Sequence, residues 1–261
     1  MSLTQRDTNI LKGIAIIAML FHHIYACPPE GCGPFGPVLT FLGVLGKCCV
    51  AIFLFCSGYG LTAQFSKIEK IGFKSSVRFV ARRLSKFYSN YWFIFLIFVP
   101  LGVFVFDIPL SARYGEHVNL VKRLVFDIFG MQGFGSYNIT WWFNKLIILL
   151  YIAFPLLFLA IRKFNWWVLP VSLIASGLSW VFLSPINYYD LLFWQFPFVL
   201  GIIWQNKDNI FVRISRWAES TSMSFSTSSS SLPTSFIILF SRNSASSLFK
   251  VILFLLFTVF S

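Results

Sequence analysis

The chain has 261 residues, of which 57% are hydrophobic and 11% are charged, and its net charge is +12. A soluble domain carries about 25% charged residues, so this composition excludes an ordinary soluble protein and indicates an integral membrane protein. The basic excess does not indicate nucleic acid binding, because Lys and Arg cluster in particular connections, where they report topology. The five cysteines show no zinc or haem spacing, and we expect no metal site.

Six apolar stretches are predicted to be membrane-spanning helices, which makes the predicted fold an all-α polytopic bundle. They cover residues 10–26, 38–63, 91–106, 141–161, 166–183 and 191–205. The connection at 66–86 carries seven basic residues and one acid, so it is predicted to be a cytoplasmic loop. The alternation of basic and non-basic connections then makes the N-terminus cytoplasmic and residues 107–140 an outer segment of mixed charge. We therefore expect a multi-pass protein of the cell membrane.

The first predicted span carries ionisable side chains near both ends, in the sequence KGIAIIAMLFHH. Lys12 and His23 are eleven residues apart, so roughly three helical turns place them on one face, about 16 Å apart along the axis. His22 points about 100° away from His23. Ionisable groups inside a span usually face a wet cavity or the bundle interior. A neutral His23 is suited to act as a general base, and a packing histidine bonded to nearby backbone explains it equally well.

Two further segments contain polar residues that are candidates for function. Arg82 and Arg83, followed by Lys86, closely precede a predicted span. Such a group is suited to hold the phosphates of a cofactor, although charges that set topology or touch anionic lipid explain it as well. The sequence Ser57-Gly58-Tyr59-Gly60 is either a packing element or part of a substrate channel, because its glycines permit close approach of another backbone.

The composition changes after residue 217. Thirteen of the 28 residues from 220 to 247 are serine, and the last apolar run, 251–260, is about half the length of a span. We therefore predict a membrane core over residues 1–217. Residues 218–261 are interpreted as a frameshifted or truncated tail, and a low-complexity linker is the alternative.

In chain order, five segments resemble signature segments of the membrane acyltransferase-3 family, whose members O-acylate polysaccharides and other extracytoplasmic molecules. They are KGIAIIAMLFHH, VAIFLFCSGYG, FVARRLSKFYSNYW, TWWFNKLIILLYIAFPLL and FWQFPFVLGIIW, and together they cover about residues 9–204. The family's Arg-x10-His pair falls on Lys12 and His23, so Lys replaces Arg. Its inner-loop arginine motif falls on Arg82, Arg83 and Lys86, again with one Lys for Arg.

Two other family segments contain the residues that we expect to line a substrate channel. Ser57 and Tyr59 match the family's Phe-Phe-x-x-Ser-Gly-aromatic segment, and Trp142 falls in its Trp-Phe segment. The chain departs from the family at Asn9, where an Asp is usual, and at Ile147 and Ile148, where many members have acids.

The resemblance implies transfer of an acyl group, most simply acetyl, from acetyl-CoA at the cytoplasmic face to a hydroxyl of a cell-surface glycan. His23, with His22 beside it, is the implied catalytic residue, either as a general base or as a transient acyl carrier. Lys12, Arg82, Arg83 and Lys86 are the implied donor-binding residues. The expected partners are membrane lipid, acyl-CoA and the glycan acceptor, with no nucleic acid and no metal. A transporter of surface glycan and an inactive fragment of an acyltransferase are the alternatives, and the oligomeric state stays open.

Overall fold

The computed structural model describes residues 3–27, 35–183 and 190–206, and all regular structure in these ranges is helical. The helices are α1 (Gln5–Tyr25), α2 (Pro37–Leu45), α3 (Cys48–Phe65), α4 (Phe73–Phe104), α5 (Leu110–Tyr114), α6 (His117–Ile128), α7 (Trp142–Phe164), α8 (Val168–Leu183) and α9 (190–206). Short 3₁₀ turns lie at Gly133–Gly135, Ile139–Trp141 and Asn165–Trp167. The predicted all-α fold is confirmed, while the predicted tail, 218–261, lies outside the described residues.

Among the described residues, four helical stretches are long and apolar enough to cross a membrane. They are Gln5–Tyr25, Pro37–Phe65, Phe73–Phe104 and Trp142–Leu183. The six predicted spans all fall on helices, since the last stretch contains two of them and α9 contains the sixth. The division within the last stretch is the 3₁₀ turn at Asn165–Trp167, where Asn165 has a φ of 55°.

The prediction of a loop over 66–86 is wrong from Phe73 onward. α4 begins at Phe73, so most of the basic residues of this segment lie on a helix of 32 residues. At 1.5 Å per residue this helix is about 48 Å long, well beyond the ~30 Å apolar core of a bilayer. The physical reason is that Lys and Arg are good helix formers, so a run of positive charge reports the side of the membrane and not the backbone conformation.

The chain divides into two compact units. Among the described residues, the first contains 3–27, 35–63, Phe164–Ile174 and 196–206. The second contains Gln64–Lys163 and Ala175–Gln195. The first unit therefore carries Lys12 and the two histidines, and the second carries the arginines of α4.

Glycines bring the helices of the first unit into backbone contact. A Cβ atom on Gly43 of α2 would lie 2.8 Å from the backbone nitrogen of Ala26, at the end of α1. On α3, a Cβ on Gly58 would clash with the carbonyl oxygen of Phe198 in α9. Reciprocally, a Cβ on Gly201 would clash with the carbonyl oxygen of Phe55. The Ser-Gly-Tyr-Gly segment thus packs one helix backbone directly against another.

We expect Gly58→Ala to lower the free energy of unfolding by about 1–3 kcal/mol, because the added methyl overpacks the crossing of α3 and α9. Gly60→Ala is the matched control on the same helix, since nothing lies within 4 Å of its Cβ position. The control should be neutral or stabilising by up to about 1 kcal/mol, as alanine is the better residue inside a helix. Thermal unfolding in detergent measures both, and equal midpoints would contradict the assigned crossing.

Two clusters of aromatic side chains form the core of the second unit. The first joins Tyr91, Phe95 and Val99 of α4 to side chains that follow it in the chain, Tyr114, Tyr137 and Trp141. The second lies where Phe65 contacts Phe79 of α4 and Phe154 and Phe158 of α7, with ring centroids 4.9–5.3 Å apart. The candidate residues of α4 and α7 are positioned by these two clusters.

Candidate functional site

The helix α1 carries Lys12 and His23 on one side, as the spacing predicts. It is unbroken from Gln5 to Tyr25, and both side chains are exposed in the part of the chain that the structure describes. Lys12 is close enough to Cys56 of α3 for its charge to act on that thiol. Lys12 therefore lies at the edge of the α1 surface that faces α3.

His22 occupies the face of α1 that buries Leu11 and Ala15, and a neighbouring helix orients it. Its Nδ1 lies 2.9 Å from the carbonyl oxygen of Gly43. A carbonyl only accepts hydrogen bonds, so Nδ1 carries the proton and Nε2 presents its lone pair. That Nε2 lies 3.9 Å from Cys27 Sγ. The close approach of α2 at Gly43 thus fixes the tautomer of His22.

The ring of His23 stands edge-on to the ring of His22, with centroids 5.4 Å apart. The two imidazoles are therefore neighbours with different surroundings. His22 is half-buried and oriented by a backbone carbonyl, whereas His23 is exposed. Contrary to the expectation for ionisable groups of a span, the described residues do not enclose His23 in a cavity or in the bundle interior. In the ranges that the structure describes, no three His, Cys, Asp or Glu side chains are grouped to hold a metal ion.

The three basic residues predicted to bind the acyl donor have different surroundings. Arg82 and Lys86 are exposed, while Arg83 is half-buried. The Cζ of Arg83 lies 5.5 Å from the centroid of the Phe79 ring, and its Nη2 is buried without a hydrogen-bond partner in the described part of the chain. A buried N–H without an acceptor costs about 1–3 kcal/mol. The Nη2 of Arg83 is therefore available to donate a hydrogen bond to an anionic oxygen, the acceptor that a guanidinium binds best.

A second arginine borders the same aromatic cluster. Arg162, in the last turn of α7, has its Cζ 5.9 Å from the Phe158 ring centroid. Phe158 and Phe79 both contact Phe65, so two rings of the cluster each have a guanidinium over them. A cation over an aromatic ring is attracted to the ring face, which helps to hold each guanidinium in place.

The residues predicted to line a substrate channel lie in different settings. Ser57 is half-buried, and Tyr59 is buried with its hydroxyl donating to the carbonyl of Leu3 at 3.0 Å. Trp142, at the start of α7, is half-buried and stacks on Phe134 with centroids 5.3 Å apart and an interplanar angle of 13°. Tyr59 therefore has a packing role, and Trp142 presents an aromatic surface.

Asp127, near the end of α6, is a buried carboxylate that the sequence reading missed. It is fully buried, and its Oδ2 accepts hydrogen bonds from the Tyr114 hydroxyl at 2.5 Å and the Tyr137 backbone N–H at 2.8 Å. Its backbone carbonyl accepts from the Tyr91 hydroxyl. Burial raises the pKa of Tyr114, and the hydrogen bond to Asp127 acts in the same direction, so the phenol stays protonated and donates. The available signal was its helical register, which puts an acid beside Leu120 and Leu124 on an apolar face.

The comparison with known families gives a match that covers nearly the whole chain. A sequence model of the acyltransferase-3 family, described as an acyltransferase domain, matches residues 6–261. No curated protein and no solved structure gives a significant match. The family match includes the helix with the Lys12–His23 pair and the helix with Arg83. Because it covers nearly all of the chain, this membrane protein belongs to the acyltransferase-3 family, and its chemistry is acyl transfer.

Proposed function

We propose that the protein transfers an acetyl group from acetyl-CoA to a hydroxyl of a cell-surface glycan. Acyl transfer in general follows from the family match. The observation that supports a phosphorylated donor is Arg83, whose buried Nη2 lacks an acceptor while its guanidinium is held on Phe79. A phosphate of coenzyme A supplies the anionic oxygen that this arrangement accepts. Arg82 and Lys86 add positive charge on the same helix as Arg83. Lys12 is the proposed donor contact on α1.

In the proposed reaction His23 acts on the acceptor. Its neutral imidazole takes the proton from the glycan hydroxyl while the oxygen attacks the thioester carbonyl. The C–S bond breaks, and the coenzyme A thiolate leaves and regains a proton from the imidazolium. A variant of this step has His23 accept the acyl group first and pass it to the hydroxyl. His22, fixed by Gly43, lies beside His23 and limits the ring positions that His23 can take.

The direct test is transfer of radiolabelled acetyl from acetyl-CoA to glycan in membranes that contain the full chain. The proposal expects label on the glycan in an alkali-labile ester and a mass increase of one acetyl group. Glycan that crosses the membrane without a mass change would identify a transporter and overturn the proposal. Label that appears on the glycan only with a longer acyl donor would show that the donor is a longer acyl-CoA and not acetyl-CoA.

We expect Arg83→Ala to raise the KM for acetyl-CoA by about 10- to 150-fold, since a hydrogen bond to a charged group contributes about 1.5–3 kcal/mol. Arg82→Ala is the matched comparison, because it removes the same charge from an exposed neighbouring position. Its effect should be smaller, and Arg83→Lys should not restore donor binding, because Lys lacks the planar fork. Initial rates against acetyl-CoA concentration measure all three, and a larger effect at Arg82 would contradict the assignment.

A further inference from the structure

The helix α6 does not extend away from the span before it but packs back along it. Leu120, Leu124 and Ile128 of α6 pack against the cluster that contains Tyr91, Phe95 and Val99 of α4. The chain reverses direction at the end of α4, where the N–H of Ile108 donates to the carbonyl of Gly102 at 3.1 Å. The outer segment predicted over 107–140 therefore contains a helix that runs beside α4.

Hydrogen bonds show how far along α4 this helix reaches. The Trp92 indole N–H donates to the carbonyl of Ile128 at 2.8 Å, and the Tyr88 hydroxyl donates to that of Phe129 at 3.0 Å. Trp92 precedes the last residue of α4, Phe104, by 12 residues, which is about 18 Å of helix, and Tyr88 lies about 24 Å from that end. The apolar core of a bilayer is about 30 Å thick. Measured along α4 from Phe104, the end of α6 therefore lies well inside the apolar part of this helix.

The chain after α6 lies between two helices that are long enough to cross a membrane. A Cβ atom on Gly130 would lie 3.1 Å from Ile148 Cδ1 and 3.4 Å from Asn144 Cβ, both on α7. On its other side it would lie 3.7 Å from Tyr91 Cε1 of α4. Gly130 also has a φ of 65°, a conformation that glycine adopts without strain. The turn at Gly130 is thus inserted between α4 and α7.

The side of α6 that faces away from α4 is apolar. Val118, Val121, Val125 and Phe129 are 80%, 61%, 44% and 52% exposed. At 100° per residue they lie within about 80° of one another. Exposed apolar residues of α4, among them Phe93 and Leu96, lie on the helix beside them. A surface of this kind is costly in water, at about 25 cal/mol per Å².

Polar groups at the turn after α6 are paired within the protein. Irregular backbone at that depth is tolerated only where protein satisfies its hydrogen bonds. The N–H groups of Gly130 and Met131 donate to the carbonyls of Asp127 and Phe126 at 2.7 and 2.8 Å, and Asp127 itself is paired. At the other end of α6, His117 Nε2 lies 3.9 Å from Glu116 Oε2, and both side chains are strongly exposed, as residues in water are.

We propose that residues 117–141 form a re-entrant segment that enters the membrane beside α4, and that lipid acyl chains cover the exposed apolar face of α6. Lys122 and Arg123 lie on this short helix with side chains long enough to bring their charges back to the headgroups. The Asp127 carboxylate accepts from the Tyr137 N–H within the segment and from the Tyr114 hydroxyl in α5. Its backbone carbonyl accepts from the Tyr91 hydroxyl of α4. The proposal does not depend on the substrate of the enzyme.

The test is the accessibility of single cysteines in proteoliposomes. Cys27, Cys32, Cys48, Cys49 and Cys56 are first replaced, and then Val125→Cys and His117→Cys are compared with a membrane-impermeant maleimide. Labelling at position 125 should be at least about tenfold slower than at 117, because the reagent does not enter hydrocarbon. The two positions should react alike after denaturation in detergent. Equal labelling in the bilayer would overturn the proposal.

A second measurement uses the unmodified chain, in case the cysteine-free protein does not fold. Lipids that carry a photoactivatable group on the acyl chain should form adducts on the peptide that contains Val121 and Val125. Adducts confined to the other helices would overturn the proposal. Protection of position 125 in native membranes but not in proteoliposomes of purified protein would identify a protein partner on this face, and would also overturn it.

Discussion

Replacing His23 by alanine is expected to lower acyl transfer by about 10²- to 10⁴-fold, which is the usual contribution of a positioned general base. The structure places His23 on an unbroken α1, on the same side of the helix as Lys12. The loss should appear in kcat, because the proton leaves the hydroxyl during the chemical step. Initial rates with radiolabelled acetyl-CoA in membranes measure the change.

His117→Ala is the control for general effects of losing an imidazole. His117 lies at the start of α6 with a side chain that is 90% exposed, and its Nε2 lies 3.9 Å from Glu116 Oε2. Activity should be retained in this variant. Wild-type activity in the His23 variant would remove His23 from the mechanism, whatever the result at His117. If His22→Ala alone abolished kcat, the base would be assigned to the neighbouring ring.

Replacing Asp127 by alanine is expected to give the largest loss of stability, about 2–6 kcal/mol. The variant leaves two buried donors, the Tyr114 hydroxyl and the Tyr137 N–H, without an acceptor, and each costs about 1–3 kcal/mol. A full loss at the upper end is comparable with the total stability of many domains. The apparent midpoint of thermal unfolding in detergent measures the effect.

Two comparisons separate the buried contacts of Asp127 from its charge. Glu69→Ala removes an exposed carboxylate and should change stability by no more than about 0.5 kcal/mol. Asp127→Asn keeps one carbonyl oxygen as an acceptor and should lose less than Asp127→Ala. An alanine variant as stable as the Glu69 variant would show that this network does not hold the segment after α6 in place.

Local sequence patterns were sufficient to predict the fold class and part of the candidate site. The length and composition of the apolar stretches predicted helices at all six positions, and the eleven-residue spacing predicted the common face of Lys12 and His23. These properties depend on residues within a few turns of one another. A helix has a fixed period and rise, and a membrane has a fixed thickness, so short sequence windows carry the information.

The sequence did not show that Arg83, and not Arg82, faces the protein interior. Successive residues of a helix point about 100° apart, and the sequence alone does not say which of these directions is buried. The side of α4 that faces the protein interior carries Phe79, which packs against Phe65 and Phe154. In the same way, His22 depends on Gly43, and Asp127 on Tyr91 and Tyr114. Each of these contacts joins residues 10 or more positions apart in different elements. Their geometry follows from how the helices pack, which a charge count or a hydropathy period does not contain.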